Sequence, residues 1–307
     1  MESALKTGGP VPLEKVNVQS TEASIDIPSD SALLVADQRK YYLTQPDGGK
    51  KTLLYSEESS PLEMASLSPS ATRFAYFINN FVYIQEVTTK KTVTLNKEII
   101  GSIGGPLRWS PDETKLAMTC ANAQQPSFAV CLLDTQSGQI DVLINEKNTD
   151  QFCASSYIEL LDWSKDGSAI FYDCFMFPAY RQKQTLSIYV YEVASKTTKQ
   201  IFDSTSQDLI WEIHSASISP NNTLLLINGA KQDHVQQIFL LDLSDGSVRQ
   251  VTKEMSHSSS ASVWRSDNNT FYVHTQNHQS PYEESNFIMN TDGEIINTVE
   301  IEGTIIK

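Results

Sequence analysis

Several things are missing from this chain, and each absence narrows what it does. Its apolar runs are strand-sized, Leu224 to Ile227 among them. A helix crossing a bilayer needs roughly 18 apolar residues, so no transmembrane segment is expected. Met1 to Pro10 lacks the charged-then-apolar pattern of a secretory leader. No Lys/Arg-rich block offsets the 37 acidic side chains, against 23 basic ones, and the net charge is −14. That field repels polyanions, which excludes nucleic acid as a partner and disfavours anionic membrane surfaces. The acidity itself reads as a solubility feature.

Chemistry-bearing motifs are equally scarce. There is no G-x-S-x-G elbow, no phosphate-cradling glycine loop and no EF-hand pattern. No Cys or Ser has a visibly matched base, so no catalytic residue is assigned. The four cysteines, Cys120, Cys131, Cys153 and Cys174, lack the C-x₂₋₄-C spacing of a structural zinc site. No cofactor and no metal are expected. Helix caps and a 3.6-residue apolar period are nearly absent.

What the 307 residues do contain is a repeat. An apolar residue, a short polar turn and an apolar strand recur as Ile27-Pro-Ser-Asp30…Leu34, Leu67-Ser-Pro-Ser70…Phe74 and Trp109-Ser-Pro-Asp112…Leu116. They return as Trp163-Ser-Lys-Asp166…Ile170, Ile218-Ser-Pro-Asn221…Leu225 and Trp264-Arg-Ser-Asp267…Phe271. Pro presets φ for a turn, and Asp or Asn accepts hydrogen bonds from N–H groups just ahead. Later in each copy a strand ends in a second turn, as in Tyr41 to Gly48 or Ile238 to Gly246, followed by a short β-branched segment. Each copy thus offers four strands, A to D, joined mainly by hairpins. A lone copy cannot bury both faces, so the copies must pack in a ring. The expected fold is all-β: a six-bladed β-propeller of four-stranded antiparallel blades.

The apolar-Ser-Pro-Asp turn followed by an Ile-x-x-x-Asp…Gly hairpin resembles the TolB-type (WD40-like, PD40) blade over about residues 22–301. Similar repeats occur in the propellers of prolyl-oligopeptidase-like peptidases. The resemblance implies a propeller and leaves function open. Residues 1–12 read as a flexible tail and 13–307 as one propeller domain, with blade turns near 28, 68, 110, 164, 219 and 265. Two ring closures stay open: Glu294 to Ile301 as strand D of blade six, or Leu13 to Gln19 added to that outer edge.

A–B and C–D turns lie on one face of a propeller, B–C and D–A connections on the other. Here the second set is long and varied, which makes that face the binding candidate. The blade-four loop Cys174 to Thr185 carries Phe175, Met176, Phe177, Tyr180 and Arg181, residue types enriched at interaction hot spots. The blade-six loop His274 to Ser285 adds His278 and Tyr282, with Glu283 and Glu284. It reads as a solvated polar loop rather than a metal site. Trp211, Glu212 and His214 precede the innermost strand of blade five and are candidates for a channel mouth. Trp109, Trp163 and Trp264 share one repeat position and read as core.

Cys120 and Cys131 flank a hairpin loop, so they are expected opposite each other and disulfide-bonded, with Cys153–Cys174 as a second pair; four reduced thiols are the alternative. Disulfides would mean an oxidising compartment. The expected function is a non-enzymatic binding or scaffolding propeller for a protein or peptide partner, outside the cytoplasm. Anchoring by a segment removed from ahead of Met1 fits that location. The alternatives are a cytoplasmic protein, and a hydrolase or lyase at the mouth of the central channel, metal-dependent in one version.

Overall fold

The computed structural model describes residues 32–306, apart from 38–39, 47–48, 50, 57–63, 79–80, 96–105, 123–124, 146, 148, 155, 177–184, 206–209, 232–234, 253–257 and 278–282. The expected tail 1–12 and the segment Leu13 to Gln19 therefore lie outside the described residues. The rest forms six four-stranded antiparallel sheets. Blade one holds β1 (Leu33–Asp37), β2 (Lys40–Thr44) and β3 (Thr52–Ser56). Blade two holds β4 (Ala65–Leu67), β5 (Arg73–Ile78), β6 (Phe81–Glu86) and β7 (Thr92–Thr94). Blade three follows with β8 (Arg108–Trp109), β9 (Lys115–Asn122), β10 (Gln125–Asp134) and β11 (Ile140–Ile144). One short helix, α1 (Gln151–Ala154), leads into blade four: β12 (Tyr157–Trp163), β13 (Ala169–Met176), β14 (Thr185–Glu192) and β15 (Thr197–Asp203). Blade five is β16 (Glu212–Ile218), β17 (Leu224–Ala230), β18 (Gln236–Asp242) and β19 (Val248–Gln250). Blade six is β20 (Ser258–Trp264), β21 (Thr270–Asn277), β22 (Glu283–Asn290) and β23 (Ile295–Val299), and the chain ends in β24 (Thr304–Ile305).

The turn chemistry explains why the repeat folds this way. The Oγ atoms of Ser68, Ser110, Ser164 and Ser219 accept the N–H of Arg73, Lys115, Ala169 and Leu224 at 3.1, 3.0, 2.8 and 2.9 Å. The acidic or amide residue two places later accepts the N–H two residues further on, as Asp112 does from Thr114 and Asp166 from Ser168. The next position carries positive φ in all five described A–B turns: Ala71, Glu113, Gly167, Asn222 and Asn268. Four of these five are not glycine, so side-chain acceptors hold a backbone conformation that L-residues avoid.

Each seam between neighbouring blades is filled by its own apolar cluster, six in all. Trp109, Trp163 and Trp264 are buried in these seams as expected. The indole N–H of Trp109 donates to Ser66 O of the preceding blade (3.2 Å), and that of Trp264 to Ser217 O (2.8 Å).

The ring closes at its ends. Expected strand D of blade six is there, as β23. The chain then crosses to blade one, where β24 pairs with β1, Val35 opposite Ile305, and takes the innermost position. The first repeat copy is also out of register by one. Phe74, Leu116, Ile170, Leu225 and Phe271 all face the preceding blade, whereas Leu34 faces blade two and its neighbour Leu33 faces blade six. Leu33 is therefore the structural equivalent of Phe74. A one-residue slip inverts every side chain of a strand, and only the seams reveal it.

Candidate functional site

The B–C/D–A face of blades three and four carries a partly exposed aromatic surface. Tyr157 opens β12 and Phe175 nearly ends β13; the two are cross-strand partners with stacked rings 5.5 Å apart. Phe128 of blade three also meets Tyr157, with ring centroids 5.0 Å apart. Tyr157 is 40% exposed and Met176 37%. Sequence reasoning singled out Phe175 and Met176 but missed Phe128 and Tyr157, which stand in strands rather than loops. The loop itself is shorter than expected, because β13 continues through Met176. Phe177, Tyr180, Arg181, His278 and Tyr282 lie outside the described residues.

Two disulfides frame this surface, Cys120–Cys131 within blade three and Cys153–Cys174 across the entry to blade four. The expected direct opposition of Cys120 and Cys131 is not what forms. Cys120 pairs with Ala129 and Cys131 with Met118, so the bridge runs diagonally with Cα atoms 5.9 Å apart. The hairpin pairs already at Asn122 and Gln125, closer to its tip than the expected loop allows; the register shift between Gln125 and Phe128 then brings Cys131 to within two residues of the partner of Cys120. Cys153 sits in α1, whose start is capped by Asp150 Oδ1 accepting the Cys153 N–H at 2.9 Å. Asp150 Oδ2 accepts the Tyr189 hydroxyl at 2.7 Å, tying the D–A connection to the sheet. Burial, and then the Asp150 carboxylate, push the Tyr189 phenol up.

Directly beneath the Tyr157–Phe175 rung, on the same sheet face, Glu159 opposes Asp173. Asp173 is 2% exposed, and among the described residues its Oδ1 has no hydrogen-bond partner. Burial and then the neighbouring Glu159 raise the Asp173 carboxyl well above the usual carboxylate range, while its own N–H and that of Glu159 pull the other way. Burial also raises Glu159.

The channel-mouth candidates sit at the start of β16. His214 Nε2 lies 3.8 Å from Glu212 Oε2. Burial lowers the His214 pKa, and Glu212 partly restores it. His274 does not stand in a loop. It belongs to β21 and is 1% exposed, not part of a solvated loop, because β21 and β22 pair as far as Asn277 and Glu283. Its Nδ1 lies 3.1 Å from Asn286 Oδ1. Asn286 Nδ2 in turn donates to Ile301 O (2.6 Å) and Gly303 O (3.1 Å), the crossing that delivers β24. Among the described residues, no group of three His, Cys, Asp or Glu side chains is placed to hold a metal.

The opposite face, where the A–B turns converge, holds a cavity of about 320 Å³ at the channel mouth. Trp109, Trp163 and Trp264 line it, with Arg108, Asp162, Lys165 and Arg265. Arg108 Nε contacts Asp162 Oδ1 at 3.1 Å, and Lys165 Nζ lies 3.9 Å from Asp162 Oδ2. That carboxylate oxygen also accepts the Ile218 N–H at 2.8 Å, and Arg108 reaches Ala216 O at 3.3 Å. The inner strands of blades three, four and five are thus strapped across the axis. Among the described lining residues three cations stand against one carboxylate, with Arg265 also 3.7 Å from Asp267 Oδ2, so this lining is basic within a chain of net charge −14. Glu212 and His214 do not line it.

These features define the class: a six-bladed β-propeller with one patterned loop face and one basic channel mouth. No family model and no curated protein matches the chain. Solved structures do. TolB from Acinetobacter baumannii is similar at 15% identity and a TM-score of 0.66, over 90% of this chain and 64% of that one. The chain therefore spans less than two thirds of that TolB. A chain in the structure of a nidogen/laminin complex is similar at 8% identity and a TM-score of 0.63, over 90% of this chain and 96% of that one. Oligogalacturonate lyase from Vibrio parahaemolyticus is similar at 12% identity and a TM-score of 0.52, over 80% and 84%. Identities this low show a shared fold, and fold does not assign function.

Proposed function

We propose that this chain is a non-enzymatic binding propeller that recognises a protein or peptide partner through its B–C/D–A face, centred on blades three and four. The observation that carries the reading is the aromatic row Phe128–Tyr157–Phe175 with Met176 beside it, partly exposed and braced by two disulfides. Rigid aromatic surface loses little conformational entropy on binding and supplies the residue types that dominate interfaces. The proposal includes the loop residues Phe177, Tyr180 and Arg181 of blade four and His278 and Tyr282 of blade six. The disulfides support an extracytoplasmic location. Of the solved structures with this fold, one comes from a nidogen/laminin complex and others are TolB proteins.

The test compares partners captured by the wild-type protein with those captured by Y157D, F175D and the outer-rim variant V142D. The first two should lose the specific partner and V142D should keep it. An unchanged partner set in Y157D and F175D would sink the proposal.

The basic channel mouth favours a second reading, a hydrolase or lyase acting on a carboxylate-bearing substrate. An oligogalacturonate lyase, and 44% of a chain from a structural analysis of prolyl endopeptidases, are similar in fold. Turnover abolished by R108Q and K165Q but not by Y157D would favour it over the first.

A further inference from the structure

The Glu159–Asp173 rung has no role in holding the fold that its composition would recommend. Two carboxyl groups stand directly opposite on β12 and β13, one of them almost fully buried. Among the described residues Asp173 has no ion-pair partner, and its Oδ1 receives no hydrogen bond. Like charges at cross-strand spacing repel, and a buried carboxylate without a partner is costly enough that it keeps its proton instead. Only its own N–H and that of Glu159 act in the other direction, and the side chains packed around it offer no relief. On β14, Ile188 is opposite Asp173, and on β15, Phe202 is opposite Ile188. On β16 of blade five, the strand facing β12 across the seam, the titratable groups are Glu212 and His214, which contact each other. The rest of the seam at this level is aliphatic, with Leu161, Leu186 and Ile210.

We propose that Glu159 and Asp173 hold one proton between them at neutral pH, and that its release to water loosens the seam beneath the Tyr157–Phe175 surface. The pair is then a proton switch for the face that meets the partner. This consequence rests on the recognition surface proposed above, but the proton itself does not. Position is the reason for the coupling. Glu159 and Tyr157 are two residues apart on β12, Asp173 and Phe175 two apart on β13, so the carboxyl rung and the aromatic rung are consecutive on one face. On the other face, Cys174 is pinned by its disulfide to Cys153, which limits how that strand can yield.

The sign follows from the direction of the shifts. The unfolded chain releases these protons in the ordinary carboxylate range, about pH 4, and the folded chain retains one to higher pH. Stability from the pair is complete below that range and is lost as pH rises through the raised folded value. The lowered pKa values of His214 and His274 act oppositely near neutral pH. The readout must therefore be the difference between variant and wild type.

Infrared spectra of the wild-type protein at pH 7 should show the carbonyl band of a protonated, buried carboxyl group, absent in D173N. D173N should melt with wild type at about pH 4 and increasingly above it as pH rises. The aromatic NMR resonances of Tyr157 and Phe175 should titrate with the midpoint of that band in wild type and stay flat in D173N. Should D173N not fold, E159Q serves: removing the like charge should move the band's loss to lower pH. A wild-type protein with no protonated band at pH 7 would overturn the proposal. So would an E159Q midpoint identical to wild type. Partner capture by Y157D is read separately, so a failed recognition surface and a failed proton pair give different results.

Discussion

Replacing Asn286 by Leu tests how the ring is held shut. The side chain is 4% exposed and nearly isosteric with Leu, so packing changes little. What disappears is hydrogen bonding. Asn286 Nδ2 serves Ile301 O and Gly303 O, and its Oδ1 receives His274 Nδ1. N286L leaves two backbone carbonyls and an imidazole N–H without their partner. Each buried polar group so orphaned costs about 1–3 kcal/mol, and partial relaxation lets water reach some of them. We expect a loss of roughly 3–5 kcal/mol, a large part of the 5–15 kcal/mol that domains possess. Urea denaturation should show a lower midpoint with an unchanged slope. The control is N297L on exposed β23, expected within about 0.5 kcal/mol of wild type. A midpoint for N286L within 1 kcal/mol of wild type, by the ~1 kcal/mol worth of a single hydrogen bond, would refute the idea that this side chain carries the closure.

Three further outcomes follow from the same structure. Trp264 donates to Ser217 O, while among the described residues the buried indole N–H of Trp163 has no partner; W264F should therefore cost about 1 kcal/mol more than W163F in denaturation midpoints. Thiol titration of denatured, unreduced protein should find no free cysteine, and opening either bridge, with separations of 11 and 21 residues, should cost roughly 3 kcal/mol on the chain-entropy account. The Asp134 carboxylate accepts the Ser137 N–H and hydroxyl and the Gln136 N–H, which hold its pKa down at about 2. An NMR titration should find that midpoint. The stability it lends its turn is present above the ordinary carboxylate range and fades as pH falls toward 2.

The six blades were legible because their signal is chemical and repeated. Ser at the first turn position and Asp or Asn at the third close the same hairpin again and again, through bonds a sequence can advertise. Where the copies degrade, so did the reading. Both Leu33 and Leu34 are apolar, so nothing local separates the two registers of β1; only the clusters on either side do. The closing strand is two residues long and carries no turn motif, which hid it. The binding surface was half visible. Phe175 and Met176 stood out as aromatic and sulfur-containing residues near a variable loop, whereas Tyr157 and Phe128 become neighbours only once blades three and four meet. The Glu159–Asp173 rung was invisible for the same reason: fourteen positions of chain separate two residues that one hairpin brings face to face. The basic mouth collects Arg108, Asp162, Lys165 and Arg265 from three blades, and no single stretch of sequence contains it.

Amide hydrogen exchange, measured on the protein alone and with its captured partner, tests recognition by the loop face most directly. Slowed exchange should be confined to the ends of β10, β12 and β13 around Phe128, Tyr157 and Phe175, together with the connections that follow them. Slowing concentrated instead around Arg108, Lys165 and Arg265 would contradict the account and shift recognition to the channel mouth.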